Sequence, residues 1–246
     1  MDASLTSAGG FALLGLGLIF GLKHATEVDH VVAVSAIVSE HRSVFRSALV
    51  GGLWGVGHTA SLLVVGVVVL VFRVAIPTPV ANWLEFGVAL MIIGLGLLAM
   101  TRVLRRRSDV HLHKHSHDGQ SHVHVHFHEA TTRHSQSSTH SHAVSSIGVK
   151  PVLVGTMHGL AGSGALTLLV LTQIKSAWLG LLYLAIFGVG SIVGMLLMSG
   201  LIGLPFTLTS RNVSGFHHWL QTAAAGLSIA FGLWYAYETG FASGLF

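Results

Sequence analysis

The chain has 246 residues, 52% of them hydrophobic and only 9% charged, with a mean hydropathy of +0.72. That balance excludes an ordinary soluble domain and reads as a polytopic membrane protein. There is no cysteine, which excludes disulfides and thiolate metal sites and limits any metal site to nitrogen and oxygen ligands.

A membrane-spanning helix needs about 20 apolar residues. Six segments qualify: 9–39, 46–73, 83–104, 148–173, 177–204 and 216–240. Met1-Asp2-Ala3-Ser4 carries no basic region, so no cleavable signal peptide is expected and the first apolar segment should stay in the mature protein. That segment is long and is interrupted by His24-Ala25-Thr26-Glu27-Val28-Asp29-His30. Gly9 to Leu22 precede the interruption without a charge until Lys23, and Val31 to Val38 follow it without one. Ionisable groups at membrane depth cost roughly 2.5–3.5 kcal/mol each on insertion scales, which makes a functional reading the default. Imidazole with carboxylate is a ligand set for a divalent transition metal. Wound at about 100° per residue, an unbroken helix puts His24, Glu27 and His30 on one face and Asp29 away from it. For Asp29 to coordinate, the helix must deform; otherwise Asp29 is suited to orient a liganding imidazole.

The second segment carries His58 after Gly57, a candidate metal ligand, although a lone helical histidine is also often a packing residue. Glu85, near the start of the third, reads as solvated. The tract 105–147 differs from everything else. It holds 11 of the 18 histidines, many alternating, as in His111, His113, His115 and His117 and again in His122, His124, His126 and His128. This composition reads as a segment without a packed core, disordered when free of metal, whose imidazoles bind metal in an auxiliary role. His158 lies between Gly155 and Gly159 in the fourth segment and is a further candidate ligand. His41 reads as linker, and His217 and His218 as interfacial.

If the helices alternate, one side of the membrane receives Arg42, Arg46, Arg102, Arg105, Arg106, Arg107, Lys114, Arg133, Lys150 and Arg211, and the other only Arg73 and Lys175. The excess of basic residues then puts the histidine-rich loop in the cytoplasm and both termini outside. The same residues explain the isoelectric point near 9.9, so no nucleic-acid partner is called for. The halves also echo each other. Gly21-Leu-Lys-His24 parallels Gly155-Thr-Met-His158, Trp54-Gly-Val-Gly-His58 parallels Phe187-Gly-Val-Gly-Ser191, and Trp83-Leu-Glu85 parallels Trp219-Leu-Gln221. A three-helix unit repeated once must invert across the membrane, an architecture of secondary transporters that bind substrate near the midplane. The expected organisation is therefore all-α with six transmembrane helices. Residues 1–104 form a first three-helix repeat, 105–147 the histidine-rich loop and 148–246 the second repeat.

The pattern His-x4-Asp-His within Lys23 to His30 resembles the signature of the nickel/cobalt transporter family. Gly57-His58-Thr59 is similar to that family's second histidine element. Met157-His158-Gly159-Leu160-Ala161-Gly162-Ser163-Gly164 resembles its shorter, urease-accessory branch. The resemblance covers 9–104 and 148–240. It implies that His24, Asp29 and His30 are essential for uptake and selectivity, with His58 assisting. The chain departs from the longer members in having six helices rather than eight and Glu at position 27.

These features predict a transporter rather than an enzyme, moving Ni²⁺, and Co²⁺ beside it, into the cytoplasm of a prokaryote. The metal ligands come from His24, Glu27, Asp29, His30, His58 and His158. The ion is cargo, so no cofactor is expected. The partners are the ion, the lipid bilayer and, in the cytoplasm, a metallochaperone. The alternatives are efflux of the same ions, a membrane metalloenzyme and a metal sensor. No His-Glu-x-x-His element supports the enzyme, and no Walker motif supplies an ATP site.

Overall fold

The computed structural model describes residues 8–72, 76–107, 110–117, 120–127, 144–161, 176–212 and 214–246. The first apolar segment forms two helices, α1 (Ala8–His24) and α2 (Val28–Val38), meeting at 51°. The break lies within the polar motif. Thr26 Oγ1 donates to the Lys23 carbonyl over 2.6 Å, and Glu27 is extended with ψ 146°. The Glu27 carbonyl then accepts the Val31 N–H at 3.0 Å to start α2. A threonine that competes for backbone acceptors, followed by an extended residue, is enough to end a helix.

The remaining helices among the described residues are α3 (Val44–Phe72), α4 (Thr78–Arg107), α5 (Val144–Gly159), α6 (Ala177–Asn212) and α7 (Ser214–Tyr237), with a π-helical turn at Glu238–Ala242. Pro79 sits in the first turn of α4, where its missing N–H costs no hydrogen bond. Among the described residues three helices are long and apolar enough to cross a membrane: Val44–Phe72, Thr78–Arg105 and Ala177–Ser210. The α1–α2 pair adds a fourth if it counts as one bent span. The protein is thus a helical membrane protein. The span expected at 148–173 lies partly outside the described residues. The one expected at 216–240 is a 24-residue helix made less apolar by His217, His218 and Gln221.

Helices α3 and α6 pack together at the centre, with α1 against α6 and α5 against α3, while α4 pairs with α7. The small residues in these seams let the backbones approach closely. A Cβ at Gly21 would run into the Phe187 carbonyl, and one at Gly155 into the Trp54 carbonyl. Gly96 faces Ile229 and Gly232 faces Ile93 in the same reciprocal way. Thr59 Oγ1 bonds the Gly188 carbonyl at 3.2 Å across the central pair. The short helix α2 is held inside by α7, through Gln221 Nε2 donating to the Ser39 carbonyl at 2.7 Å and Ser228 Oγ to the Val32 carbonyl at 3.3 Å. Away from water such bonds are needed, because a helix end leaves carbonyls without intrahelical partners. Ala33, Val34, Trp54, Val88, Ile92 and Phe206 form the main buried cluster. Phe11, Val64, Leu97, Leu201 and Leu227 are exposed, as lipid-facing side chains are.

Beside the helices, the histidine-rich tract forms one two-stranded ribbon. Residues Val110–His117 (β1) and Gln120–Phe127 (β2) pair antiparallel, with His111 opposite His126, His113 opposite His124 and His115 opposite His122. Alternation in the sequence matches the two-residue period of a strand. A two-stranded ribbon has no core of its own.

Candidate metal centre

The break between α1 and α2 sets the geometry of the site. His24 closes α1, Asp29 and His30 open α2, His58 comes from α3 and His158 from α5. All four imidazoles are buried, none more than 3% exposed. The His30 ring lies between the others, with centroids 4.4 Å from His24, 5.3 Å from His58 and 4.1 Å from His158. Two groups could each hold one ion, His24/His30/His58 and Asp29/His30/His158, with ligand atoms within 4.8 Å of one another in each. Two ligands on one transition-metal ion at about 2.1 Å lie at most about 4.2 Å apart, so either group needs only a small contraction.

Asp29 organises the cluster. Its Oδ1 accepts the His30 backbone N–H at 2.9 Å and lies 3.0 Å from His30 Nδ1, while Oδ2 lies 2.8 Å from His158 Nε2. The deformation that coordination by Asp29 would require is present, and its carboxylate now faces two imidazoles. A ring that donates one N–H to a carboxylate exposes the lone pair of its other nitrogen, which is how metal-binding histidines are oriented. His30 Nε2, His158 Nδ1 and His58 Nδ1 are buried without a protein hydrogen-bond partner. Buried polar atoms are usually paired, so this cluster has the character of a ligand set. His24 Nε2 and His58 Nε2 are 2.9 Å apart, about the spacing of two adjacent ligands on one ion. Glu27 stands at the rim, its side chain 40% exposed, with Oε2 3.1 Å from His24 Nδ1.

The structure therefore brings together His24, Asp29, His30, His58 and His158, with Glu27 beside them. The auxiliary histidines His111, His113, His115, His117, His122, His124 and His126 lie in the ribbon, apart from this cluster in the chain, and His128 lies outside the described residues. His217 is buried, with Nδ1 3.1 Å from Thr209 Oγ1. Sequence reasoning missed Trp54. Its indole is fully buried and stacks on His30 at 5.7 Å and 13°, and its ring centroid lies 5.4 Å from that of His158 in an edge-on arrangement. The signal was available: Trp54 is one helical turn before His58, on the same face of α3. Phe187 takes the corresponding place beside His24, at 5.6 Å.

At the end that leads to the histidine-rich tract, a cavity of about 480 Å³ opens between α2, α3, α4 and α5. Ala36, Val50 and Leu95 line its wall, and Glu40, His41 and Lys150 its rim. Burial holds the His41 imidazole below its ordinary pKa. Arg102 pairs with Glu40 at the same rim.

No family model matches the chain, and no solved structure matches it. It is 37% identical over 242 residues to the urease accessory protein UreH of Bacillus sp. (strain TB-90), a match that covers 96% of this chain and 95% of that protein.

Proposed function

The chain belongs to the UreH-like, urease-accessory branch of the nickel/cobalt transporter family, and from that premise we propose that it carries Ni²⁺, with Co²⁺ as a second substrate, into the cytoplasm. It is a membrane transport protein and not an enzyme. The observation that carries the reading is the buried cluster of four imidazoles and one carboxylate, three of whose ring nitrogens have no protein partner. Such a set suits a borderline divalent ion and is costly in an apolar bundle without one.

His24, His30, His58 and His158 supply nitrogen ligands. Asp29 orients His30 and His158, and Glu27 orients His24. The inverted three-plus-three repeat is part of this reading. It is supported by the reciprocal packing of Gly21 on Phe187 and Gly155 on Trp54, and of Gly96 on Ile229 and Gly232 on Ile93. The six spans, the cytoplasmic loop and the outward termini follow from that repeat and from the excess of basic residues on one side. The cavity rimmed by Glu40 and Lys150 serves as the cytoplasmic exit, and the loop histidines collect the emerging ion for a metallochaperone. Two positive charges moving toward a negative interior gain roughly 2.3 kcal/mol each per 100 mV, which favours uptake without a nucleotide.

The test is ⁶³Ni²⁺ flux into proteoliposomes of known protein orientation, wild type beside His30→Ala, with a membrane potential imposed in each direction. Accumulation driven by an inside-negative potential and absent in the variant supports the reading. Flux only in the opposite sense would make the protein an exporter, and flux insensitive to the substitution would remove the site.

A further inference from the structure

His30 belongs to both candidate ligand groups, and its place in the packing explains why. His24 ends α1 against α6, beside Phe187, at 5.6 Å. His158 stands near the end of α5 against α3, beside Trp54, at 5.4 Å. The seams that carry them are matched, with Gly21 on the Phe187 carbonyl and Gly155 on the Trp54 carbonyl. His24 and His158 therefore hold equivalent places in the two halves. The His30 ring sits 4.4 Å from one and 4.1 Å from the other. It has no equivalent in the second half, where the parallel string is His158-Gly159-Leu160-Ala161-Gly162-Ser163-Gly164. One imidazole thus stands between two related ones. Its Nδ1 is held by Asp29 and its Nε2 has no protein partner.

We propose that the ion has two alternative positions on either side of His30, one among His24, His30 and His58 and the other among Asp29, His30 and His158, and that it crosses by passing from one to the other. The proposal rests on the transport reading and deepens it. The two positions lie within one buried cluster that holds a single carboxylate, Asp29, so two divalent ions there would repel at short range in an apolar interior, and a chain holds one ion at this centre. The two differ in donors: three imidazoles in the first, two imidazoles and a carboxylate in the second. An ion leaving one position meets the donors of the other within the same cluster, so it need not regain its full water shell in the apolar interior. This gives Asp29 and His158 a role distinct from that of His24 and His58, although all four lie within one cluster.

The probe is Co²⁺, whose visible spectrum reports its donors. It is titrated into the full-length protein in nanodiscs, with the histidines of 111–142 replaced by serine so that only this centre reports. The comparison is wild type at the centre against His58→Gln, His158→Gln and His30→Ala, each first checked for a monodisperse elution profile. One Co²⁺ per chain is expected at the intact centre. His58→Gln and His158→Gln should each still bind one ion, more weakly than the intact centre, with spectra that differ from each other, and His30→Ala should bind none. Two ions per chain would overturn the proposal. So would loss of binding in both glutamine variants, which means a single site, identical spectra in the two variants, or no saturable binding at the intact centre. Because binding is read without flux, intact binding with no ⁶³Ni²⁺ transport would refute the transport reading while the spectra still decide between one position and two.

Discussion

At the scale of the residue, the cluster depends on a carboxylate that an ideal helix would have turned away. Asp29 reaches both His30 and His158 because α1 stops at His24 and α2 begins afresh at Val28. On the proposed reading, removing an imidazole deletes a ligand, whereas altering Asp29 leaves every imidazole in place but frees two rings and weakens the one carboxylate donor. His24→Ala and His30→Ala are therefore expected to abolish ⁶³Ni²⁺ uptake at unchanged membrane protein levels, judged by immunoblot. Asp29→Asn keeps the shape but weakens the acceptor. Its expected effect is a fall in uptake of roughly 10- to 100-fold, as for other orienting partners of metal-binding histidines, and uptake equal to wild type would deny Asp29 that role. The motif and His58 were legible in the sequence because charge within an apolar run stands out. Trp54 was not, because an indole in a membrane helix is unremarkable until the ring it stacks on is known.

At the scale of the element, glycine sets how closely helices approach. Gly155 lies where α5 meets the Trp54 carbonyl and indole, and a Cβ there has no space. Leucine at this position would push α5, and His158 with it, away from the cluster. Overpacking of this kind costs typically 1–3 kcal/mol. Gly155→Leu should thus lower the melting temperature in detergent and remove uptake, whereas Gly94→Ala, with nothing within 4 Å of the added carbon, should change neither. An unshifted melting curve for Gly155→Leu would mean that the seam is looser than described. The histidine-rich ribbon is a separate element. Its alternation was visible in sequence, but polar tracts of this composition commonly stay unpaired, and the register that puts His113 opposite His124 emerged only with the fold. Deleting 111–142 is expected to change the rate or metal dependence of uptake while leaving uptake present, and complete loss would make the ribbon part of the pathway itself.

At the scale of the whole molecule, the proposed membrane orientation rests on basic residues, which six alternating spans would divide ten against two. The chain has no cysteine of its own, so single cysteines report topology directly. A cysteine at Ser138 should react with an impermeant maleimide only after the cytoplasmic face is opened, and one at Ser4 should react from outside in intact cells. Labelling of both from one side would contradict an odd number of spans between the N-terminus and the histidine-rich loop.

The sequence by itself determined that this is a helical membrane protein, which segments are apolar enough to be helices, and that ionisable groups gather between His24 and His30 within an apolar stretch. Those properties are local: hydropathy, charge and spacing act within a stretch of chain whatever surrounds it. Only the tertiary structure decided that Asp29 faces the imidazoles, that His158 joins them from the other half, and that His30 stands between His24 and His158. These depend on a helix break, on close glycine seams and on the meeting of helices more than a hundred residues apart in the chain. No local pattern carries that information, because a side chain's partner across a seam is set by the packing of two whole helices.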